Sequence, residues 1–200
     1  MIDKVKTIFN SEASAINNIP VDDNFERAIK IIYEHVHKKG GKLVTSGMGK
    51  AGQIAHNIAT TFSSTGTPSI FLHPSEAQHG DLGILQENDV ILAISNSGKT
   101  REIIELIGLK NNLYPDIPVI VITGNKESPL AERADCSIST GAPAEVCPLG
   151  LTPTTSTTVM TVIGDALVVL MMDKIEFGAA DYAHRHHGGY LGMKSREISG

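Results

Sequence analysis

Five short apolar runs, separated by segments with helical periodicity, constrain the fold of this chain more than any other feature. Segments 50–64 and 99–112 are the clearest helices, because their apolar residues recur at spacings of three and four. Each run is continuously apolar, which is typical of strands buried on both faces. Strands that alternate with helices predict a parallel sheet joined by right-handed crossovers. We therefore expect an α/β three-layer sandwich with a central parallel sheet and helices on both faces. Its five predicted strands are 42–47, 68–73, 89–95, 118–123 and 136–140.

Both ends of the chain add helices to this core. Residues 1–40 repeat apolar side chains at helical spacing, and the pattern stops at a pair of glycines. Segment 154–177 is long and apolar, but its Thr-rich start and Asp165 favour a core or subunit-packing helix over a membrane span. We expect a single domain over 1–200, made of N-terminal helices 1–40, an α/β core 42–178 and a tail 179–200.

Composition excludes several classes of function. Hydrophobic residues make up 41% of the chain and charged residues 20%, a balance that argues against disorder. The formal net charge of -5 leaves no basic excess for nucleic acid. Cys136 and Cys147 cannot form a disulfide framework, which favours a reducing compartment. The N-terminus lacks a signal-peptide pattern, and we expect a cytoplasmic protein with no membrane contact.

The loop after the first predicted strand, 47–52, has the form GxGxxG. Glycines there let the backbone approach a phosphate at a helix N-terminus. A dinucleotide site also needs an acidic residue at the end of the next strand, but that strand ends in His73 and Pro74. Lys50 instead suggests a cation placed over a substrate. The alternative is a tight strand-to-helix turn with a solvated lysine.

The loop 93–100 ends in Gly-Lys-Thr like a P-loop, but Ala93 stands in place of the first glycine. No later strand ends in a carboxylate for magnesium, which counts against a P-loop nucleotide hydrolase. The hydroxyls of Ser95, Ser97 and Thr100, with backbone amides at a helix start, suit one phosphate monoester. Ordinary helix capping is the alternative.

Histidines and acids in other loops offer groups for proton transfer. His79 lies in a loop, 73–83, that also carries acids, and its spacing from His73 matches no standard zinc pattern. Glu102 follows the second loop by one helical turn and can simply pair with Lys99 on a solvated face. Glu145 lies in a Pro- and Gly-rich loop near apolar residues, which predicts a base with a raised pKa.

Five ordered blocks together resemble the sugar isomerase (SIS) domain family, and within it the arabinose 5-phosphate isomerases of the 3-deoxy-manno-octulosonate (Kdo) pathway. The resemblance covers about 42–192. The blocks are TSGMGKAG, TFSSTGTPSIFLHPSEAQHGDLG, VILAISNSGKTREI, EVCPLGLTPTTSTT and GDALVVLM. The resemblance implies a flavodoxin-like SIS fold. It places the catalytic positions at Lys50, His79, Glu102, Glu145 and His186, and the phosphate-binding positions at Ser46, Gly47, Gly49, Ser95, Asn96, Ser97 and Thr100.

The resemblance also implies a reaction and an assembly. We expect interconversion of D-arabinose 5-phosphate and D-ribulose 5-phosphate through an enediol(ate), with no cofactor and no metal. Family members are homotetramers with sites at subunit interfaces, so the tail would contribute His186 to a neighbouring site. The alternatives are another phosphosugar isomerase and a non-catalytic phosphosugar-binding module.

The sequence departs from the family pattern at three places. Lys99 replaces the usual glutamate and adds positive charge beside the phosphate loop. The tail has Arg185, His186 and His187 where a proline is usual, so His187 is an adjacent candidate for the site. The sequence ends without the paired CBS modules of many members, which suggests a short form whose regulation acts at the catalytic site, through Kdo or its CMP conjugate.

Overall fold

The computed structural model describes residues 1–199, with backbone only at residue 199. Eight helices and five parallel strands alternate over this range. The helices are α1 (Ile2–Asn17), α2 (Asn24–Ile32), α3 (Gly49–Ser64), α4 (Pro74–Ala77), α5 (Arg101–Leu113), α6 (Thr155–Lys174), α7 (Ala179–Arg185) and α8 (Gly189–Ser199). The strands are β1 (Leu43–Gly47), β2 (Ser69–Phe71), β3 (Val90–Ile94), β4 (Val119–Thr123) and β5 (Cys136–Ser139). A π-helical turn (Tyr33–Lys38) extends α2, and 3-10 turns lie at Asp81–Ile84 and Ala131–Arg133.

The strands form one sheet in the order β2-β1-β3-β4-β5, and every pairing is parallel. Val44 of β1 lies opposite Ile91 of β3, and Ile91 lies opposite Val119 of β4. This architecture confirms the predicted α/β fold and the predicted strands, with β2 shorter than its apolar run. The order reverses between β1 and β3, and in such sheets ligands bind at the carboxyl ends of the strands at this point.

Side chains of the central strands alternate between two hydrophobic cores. Val90, Leu92 and Ile94 of β3 face a core built with α2, α3 and α6. Ile91 and Ala93 face a second core, to which α5 and the segment around α4 contribute. Every residue of β1, β3 and β4 is buried, which explains why β3 is continuously apolar and β4 is apolar up to its last residue.

Helix α6 is long and apolar enough to cross a membrane by length and composition, yet half of its apolar window is buried inside the fold. Its contact with α3 is close, because a side chain at Gly164 would overlap Ile58. Met160, Ile163 and Leu167 lie in the core beneath the sheet. The core-helix interpretation from the sequence therefore agrees with its packing.

The two ends of the chain lie on the surface of this core. Helix α1 has no buried residue and packs along α6. Helices α7 and α8 pack chiefly against each other, next to Phe177. Gly200, the last residue of the predicted tail, lies outside the described residues.

Candidate active site

A cavity of about 490 Å³ opens at the carboxyl ends of β1 and β3, where the strand order reverses. The β3–α5 loop forms one wall, the start of α3 a second, and the loop before α6 a third. The cavity brings together six of the residues predicted for the site: Lys50, Ser95, Asn96, Ser97, Thr100 and Glu145.

The β3–α5 loop has the geometry of an anion cradle. Ser95 is buried, and its Oγ accepts the Gly98 N–H (3.1 Å) and lies 2.8 Å from Thr100 Oγ1. Gly98 has a φ of +62°, and a side chain there would overlap the Ser128 hydroxyl. This internal bonding fixes the turn, and Asn96 and Ser97 remain exposed at the cavity. Backbone N–H groups and hydroxyls at a helix start bind a phosphate monoester well.

Three helices begin at the cavity wall. Lys50 lies in the first turn of α3, Thr100 precedes α5 as its N-cap, and Ser156 and Thr157 lie in the first turn of α6. A helix N-terminus carries unpaired N–H groups and about half a positive elementary charge. The three ends together favour an anionic ligand, although the chain as a whole is acidic.

Lys50 supplies the one lysine that lines this cavity among the described residues. Its side chain is exposed, and its Nζ lies 3.5 Å from Gln53 Oε1, at the limit of a hydrogen bond. The ammonium group is therefore available to a ligand.

Glu145 is anchored to the start of α6. Its Oε2 accepts the Thr154 N–H (2.7 Å), the Thr154 hydroxyl (2.9 Å) and the Ser156 N–H (3.3 Å). Burial alone would raise the pKa of Glu145, but the hydrogen bonds from Ser156 and Thr154 outweigh it and lower the pKa. The expectation of a raised pKa is therefore wrong, because the apolar neighbours come with donors that stabilise the charged form. The Ser156 side chain adds a further hydrogen bond to the carboxylate.

The predicted phosphate-binding residues around the first loop do not line the cavity. Ser46 is fully buried, and its hydroxyl donates to Leu72 O (2.8 Å), which ties β1 to β2. A side chain at Gly47 would crowd Ala51, and one at Gly52 would meet the Gly47 carbonyl, so these glycines allow close packing of β1 against α3. Gly49 has a φ of +56° and begins α3 without lining the cavity.

Three predicted catalytic residues lie elsewhere in this chain. His79 is exposed after α4, and Glu102 is half-buried in the first turn of α5; neither lines the cavity. His186 ends α7, where its ring stacks on Tyr182 (centroids 3.6 Å apart) and its Nδ1 N–H donates to Tyr182 O (3.0 Å). The chain by itself therefore does not bring His186 to the cavity.

Among residues 1–199, no group of three or more histidine, cysteine or acidic side chains is arranged to hold a metal ion. Cys147 lies in the loop before α6, and its Sγ accepts the N–H groups of Leu151 and Thr152 (both 3.2 Å). The backbone N–H of Thr152 leads these contacts in lowering the pKa of the Cys147 thiol to about 7.

Sequence reasoning missed Ser156 and Thr157, which line the cavity and flank its anchored carboxylate. The signal was present as a run of hydroxyl residues over 152–158. That run argued against a membrane span and contributed to the family resemblance, but it did not single out these two residues, because which residue begins α6 depends on how the preceding loop folds.

Comparison with known proteins identifies the family of this chain. The family model for the SIS domain matches residues 35–170. The chain is 45% identical over 174 residues to the arabinose 5-phosphate isomerase KdsD of Francisella tularensis, covering 87% of this chain and 52% of the relative. It is 51% identical over 154 residues to KdsD of Shigella flexneri, covering 77% of this chain and 46% of the relative. The chain thus spans about half the length of these curated relatives.

Solved structures resemble the fold closely. A Bacteroides fragilis protein, assigned to the phosphosugar isomerases and to capsule formation, superimposes with a TM-score of 0.94 at 66% identity, covering 95% of this chain and 99% of that one. An Escherichia coli CFT073 protein in complex with arabinose 5-phosphate superimposes with a TM-score of 0.86 at 36% identity, covering 92% and 96%. With its parallel sheet, its cavity at the point of strand reversal and these matches, the chain belongs to the SIS domain family.

Proposed function

We propose that this protein is an aldose–ketose isomerase that interconverts D-arabinose 5-phosphate and D-ribulose 5-phosphate. The observation that carries the proposal is the cavity where three helix N-termini and Lys50 converge next to the ionised carboxylate of Glu145. Such a site stabilises both a phosphate and an enediolate. We take the identity of the sugar substrate from the KdsD relatives and from the likeness to a protein solved with arabinose 5-phosphate.

The phosphate binds at the β3–α5 loop, where Ser97, Asn96 and Thr100 face the cavity. The sugar chain then extends toward Lys50 and Glu145. A base removes the proton on carbon 2 of the aldose, the electrons move onto the carbonyl oxygen, and the enediol(ate) is reprotonated on carbon 1. Lys50 neutralises the oxygen that becomes negative.

Glu145 carries the proton between the two carbons. It lines the cavity, whereas Glu102 does not. The lowered pKa keeps Glu145 ionised at neutral pH, as a base must be, at some cost in proton affinity. Glu102 is the runner-up.

A second subunit completes the site. His186 is held in the tail and does not line the cavity of its own chain, so we assign it to the site of a neighbour in a homotetramer, with His187 as the adjacent candidate. His186 or His79 assists proton transfer at oxygen. The 66% identical Bacteroides fragilis relative, matched over nearly its whole length and assigned to the phosphosugar isomerases, supports the proposed chemistry.

Arabinose 5-phosphate formed in the reverse direction feeds Kdo synthesis in the cytoplasm, for lipopolysaccharide, and the reaction needs no cofactor or metal. Kdo or its CMP conjugate inhibits at the same cavity, where Lys99 adds an exposed cation to the loop that holds the phosphate. A titration of the isomerase with each compound tests this; unchanged rates up to millimolar concentration refute it.

A coupled assay over pentose and hexose phosphates, with EDTA present, tests the proposed reaction. We expect turnover of arabinose 5-phosphate in preference to the other sugars. Preference for a different sugar indicates another phosphosugar isomerase, and saturable binding without turnover indicates a binding module. Deuterium wash-in from solvent for Glu145→Gln and Glu102→Gln then separates the two acids. Near wild-type exchange in Glu145→Gln would refute its assignment.

A further inference from the structure

Helix α1 reaches the candidate active site through a single acidic residue. The helix has no buried residue, yet Glu12 extends from it toward the start of α6. Glu12 Oε1 accepts the Thr155 hydroxyl at 3.0 Å. Its Oε2 is buried without a hydrogen-bond partner in the described chain. A buried, half-satisfied carboxylate opposes folding, so the one contact that it makes calls for a functional explanation.

Thr155 connects Glu12 to the loop that carries Glu145. The residue is 1% exposed, and its Oγ1 both donates to Glu12 and accepts the Val146 N–H at 3.2 Å. Val146 is the neighbour of Glu145 in the chain. A continuous path of hydrogen bonds therefore runs from α1 through a buried hydroxyl to the backbone beside the proposed base. A further acceptor at the end of such a path strengthens the bonds before it.

The same helix end holds Glu145 from the other side. Thr154 and Ser156, the neighbours of Thr155, donate to Glu145 Oε2. Residues 154–156 are thus fixed between two carboxylates, one facing the cavity and one lying outside it on α1. Loss of Glu12 frees the Thr155 hydroxyl to rotate and weakens its bond to Val146.

We propose that Glu12 is a positioning residue for the isomerase site: through Thr155 it holds the backbone at Val146, and hence the carboxylate of Glu145, in the productive orientation. The proposal rests on the proposed function of Glu145, but the path of hydrogen bonds exists whether or not Glu145 is the base. Glu12 does not line the cavity and does not touch the substrate.

Kinetics of Glu12→Ala test the positioning role. We expect kcat to fall about 10-fold, with KM changed less than about threefold, because Glu12 does not line the cavity that binds the substrate, while the base is misplaced. The acid limb of the kcat profile moves to higher pH, since looser hydrogen bonds to Glu145 raise its pKa. Asp3→Asn, an exposed carboxylate on the same helix, is the control and retains wild-type kinetics.

Two variants of Thr155 keep the test decisive if Glu12→Ala folds poorly. Thr155→Val removes the hydroxyl at nearly constant volume, and we expect it to lower kcat as Glu12→Ala does. Thr155→Ser keeps the hydroxyl and should keep most of kcat. Glu12→Ala combined with Thr155→Val adds little further loss, since both remove one connection. The proposal is overturned if kcat falls equally at every pH without a shift of the pH profile. It is also overturned if the losses from Glu12→Ala and Thr155→Val add fully in the double variant.

Amide hydrogen exchange separates this proposal from the isomerase assignment. We expect peptides that cover 144–156 to exchange about 10-fold faster in Glu12→Ala than in the wild type or Asp3→Asn, with or without turnover. If the wild-type protein is inactive but the variants show this exchange pattern, the isomerase assignment is refuted and the positioning role of Glu12 stands. Unchanged exchange in Glu12→Ala overturns the role of Glu12.

Discussion

At the scale of single residues, Glu145 shows how a carboxylate in an apolar loop can become more acidic. Burial disfavours its charge, but donors from Ser156 and Thr154 at the start of α6 outweigh that penalty and lower the pKa. The carboxylate is therefore ionised near neutral pH. Its hydrogen bonds also stabilise the folded state.

Replacement of Glu145 by Gln has separable effects on activity and on stability. We expect turnover to fall by about 10² to 10⁴, the usual contribution of a general base. Because the folded-state pKa is lowered, the carboxylate stabilises the fold above its ordinary value of 4.5, and this stabilisation is lost as pH falls through the lowered pKa. Denaturant unfolding should show the variant destabilised at pH 7 and equal to the wild type in strong acid. A constant difference at all pH values would contradict this.

The two cysteines should differ sharply in reactivity. The hydrogen bonds to Cys147 Sγ, led by the Thr152 N–H, lower its thiol pKa to about 7, whereas burial raises that of Cys136 to about 11. We expect one equivalent of iodoacetamide to react, with a rate that rises to a plateau above a midpoint near pH 7. Cys147→Ser should abolish the reaction; persistent labelling of that variant would show that Cys136 is accessible.

At the scale of elements, the glycines of the two site loops serve different purposes. Those at 47 and 52 allow β1 and α3 to touch, whereas Gly98 permits a left-handed turn that aims hydroxyls at the cavity. The GxGxxG pattern alone predicted phosphate approach, and the contacts of Gly52 with the Gly47 carbonyl show that packing is its role. Both loops still begin helices at the same cavity.

Gly98 and Gly108 offer a matched pair of substitutions on one loop and its helix. Gly98→Ala should destabilise the protein by more than about 1 kcal/mol and raise KM for the sugar phosphate, because φ is positive and Ser128 blocks the methyl. Gly108→Ala should stabilise it by about 0.5–1 kcal/mol, since Gly108 lies exposed within α5 with open space around it. Thermal unfolding measures the stability of both variants, and steady-state kinetics measure their KM. Stability changes in the same direction for the two variants would contradict this prediction.

At the scale of the whole molecule, the features that the single chain leaves unexplained lie at its surface. Exposed apolar side chains mark α1 at Phe9 (67%), α6 at Val169 (55%) and α8 at Leu191 (57%). His186 lies in the same tail as α8 and away from the cavity of its own chain. The proposed homotetramer, in which these surfaces are covered and His186 reaches a neighbour, would account for both observations.

Mixed assemblies test delivery of His186 in trans. Lys50→Ala and His186→Ala should each be nearly inactive alone. Co-expressed, they should regain roughly a quarter of the wild-type activity, because a mixed pair of subunits rebuilds one intact site. If His186 acts within its own chain, every site carries one defect and no activity returns. Light scattering on the same samples checks the tetramer.

Local patterns predicted the scaffold well for a physical reason. A strand buried on both faces must be continuously apolar, so β3 and β4 were recognisable from their own residues alone. The hydroxyls of Ser95, Ser97 and Thr100 were recognisable for a similar reason, since an anion-binding turn is a local structure. Their common cavity with Lys50 follows from the parallel order of β1 and β3.

Long-range contacts could not be predicted in this way. The direction of the pKa shift at Glu145 depends on hydrogen-bond donors that the folded loop brings to it. The buried hydroxyl of Ser46 donates to Leu72 on another part of the chain. The role of Glu12 depends on Thr155, which lies far along the sequence. By itself the sequence determined the sheet, its helices and the turns that begin at the cavity, because these follow from local periodicity. Only the tertiary structure decided which side chains share hydrogen bonds, and with them the charge and orientation of the groups in the site, because those depend on atoms that folding alone brings together.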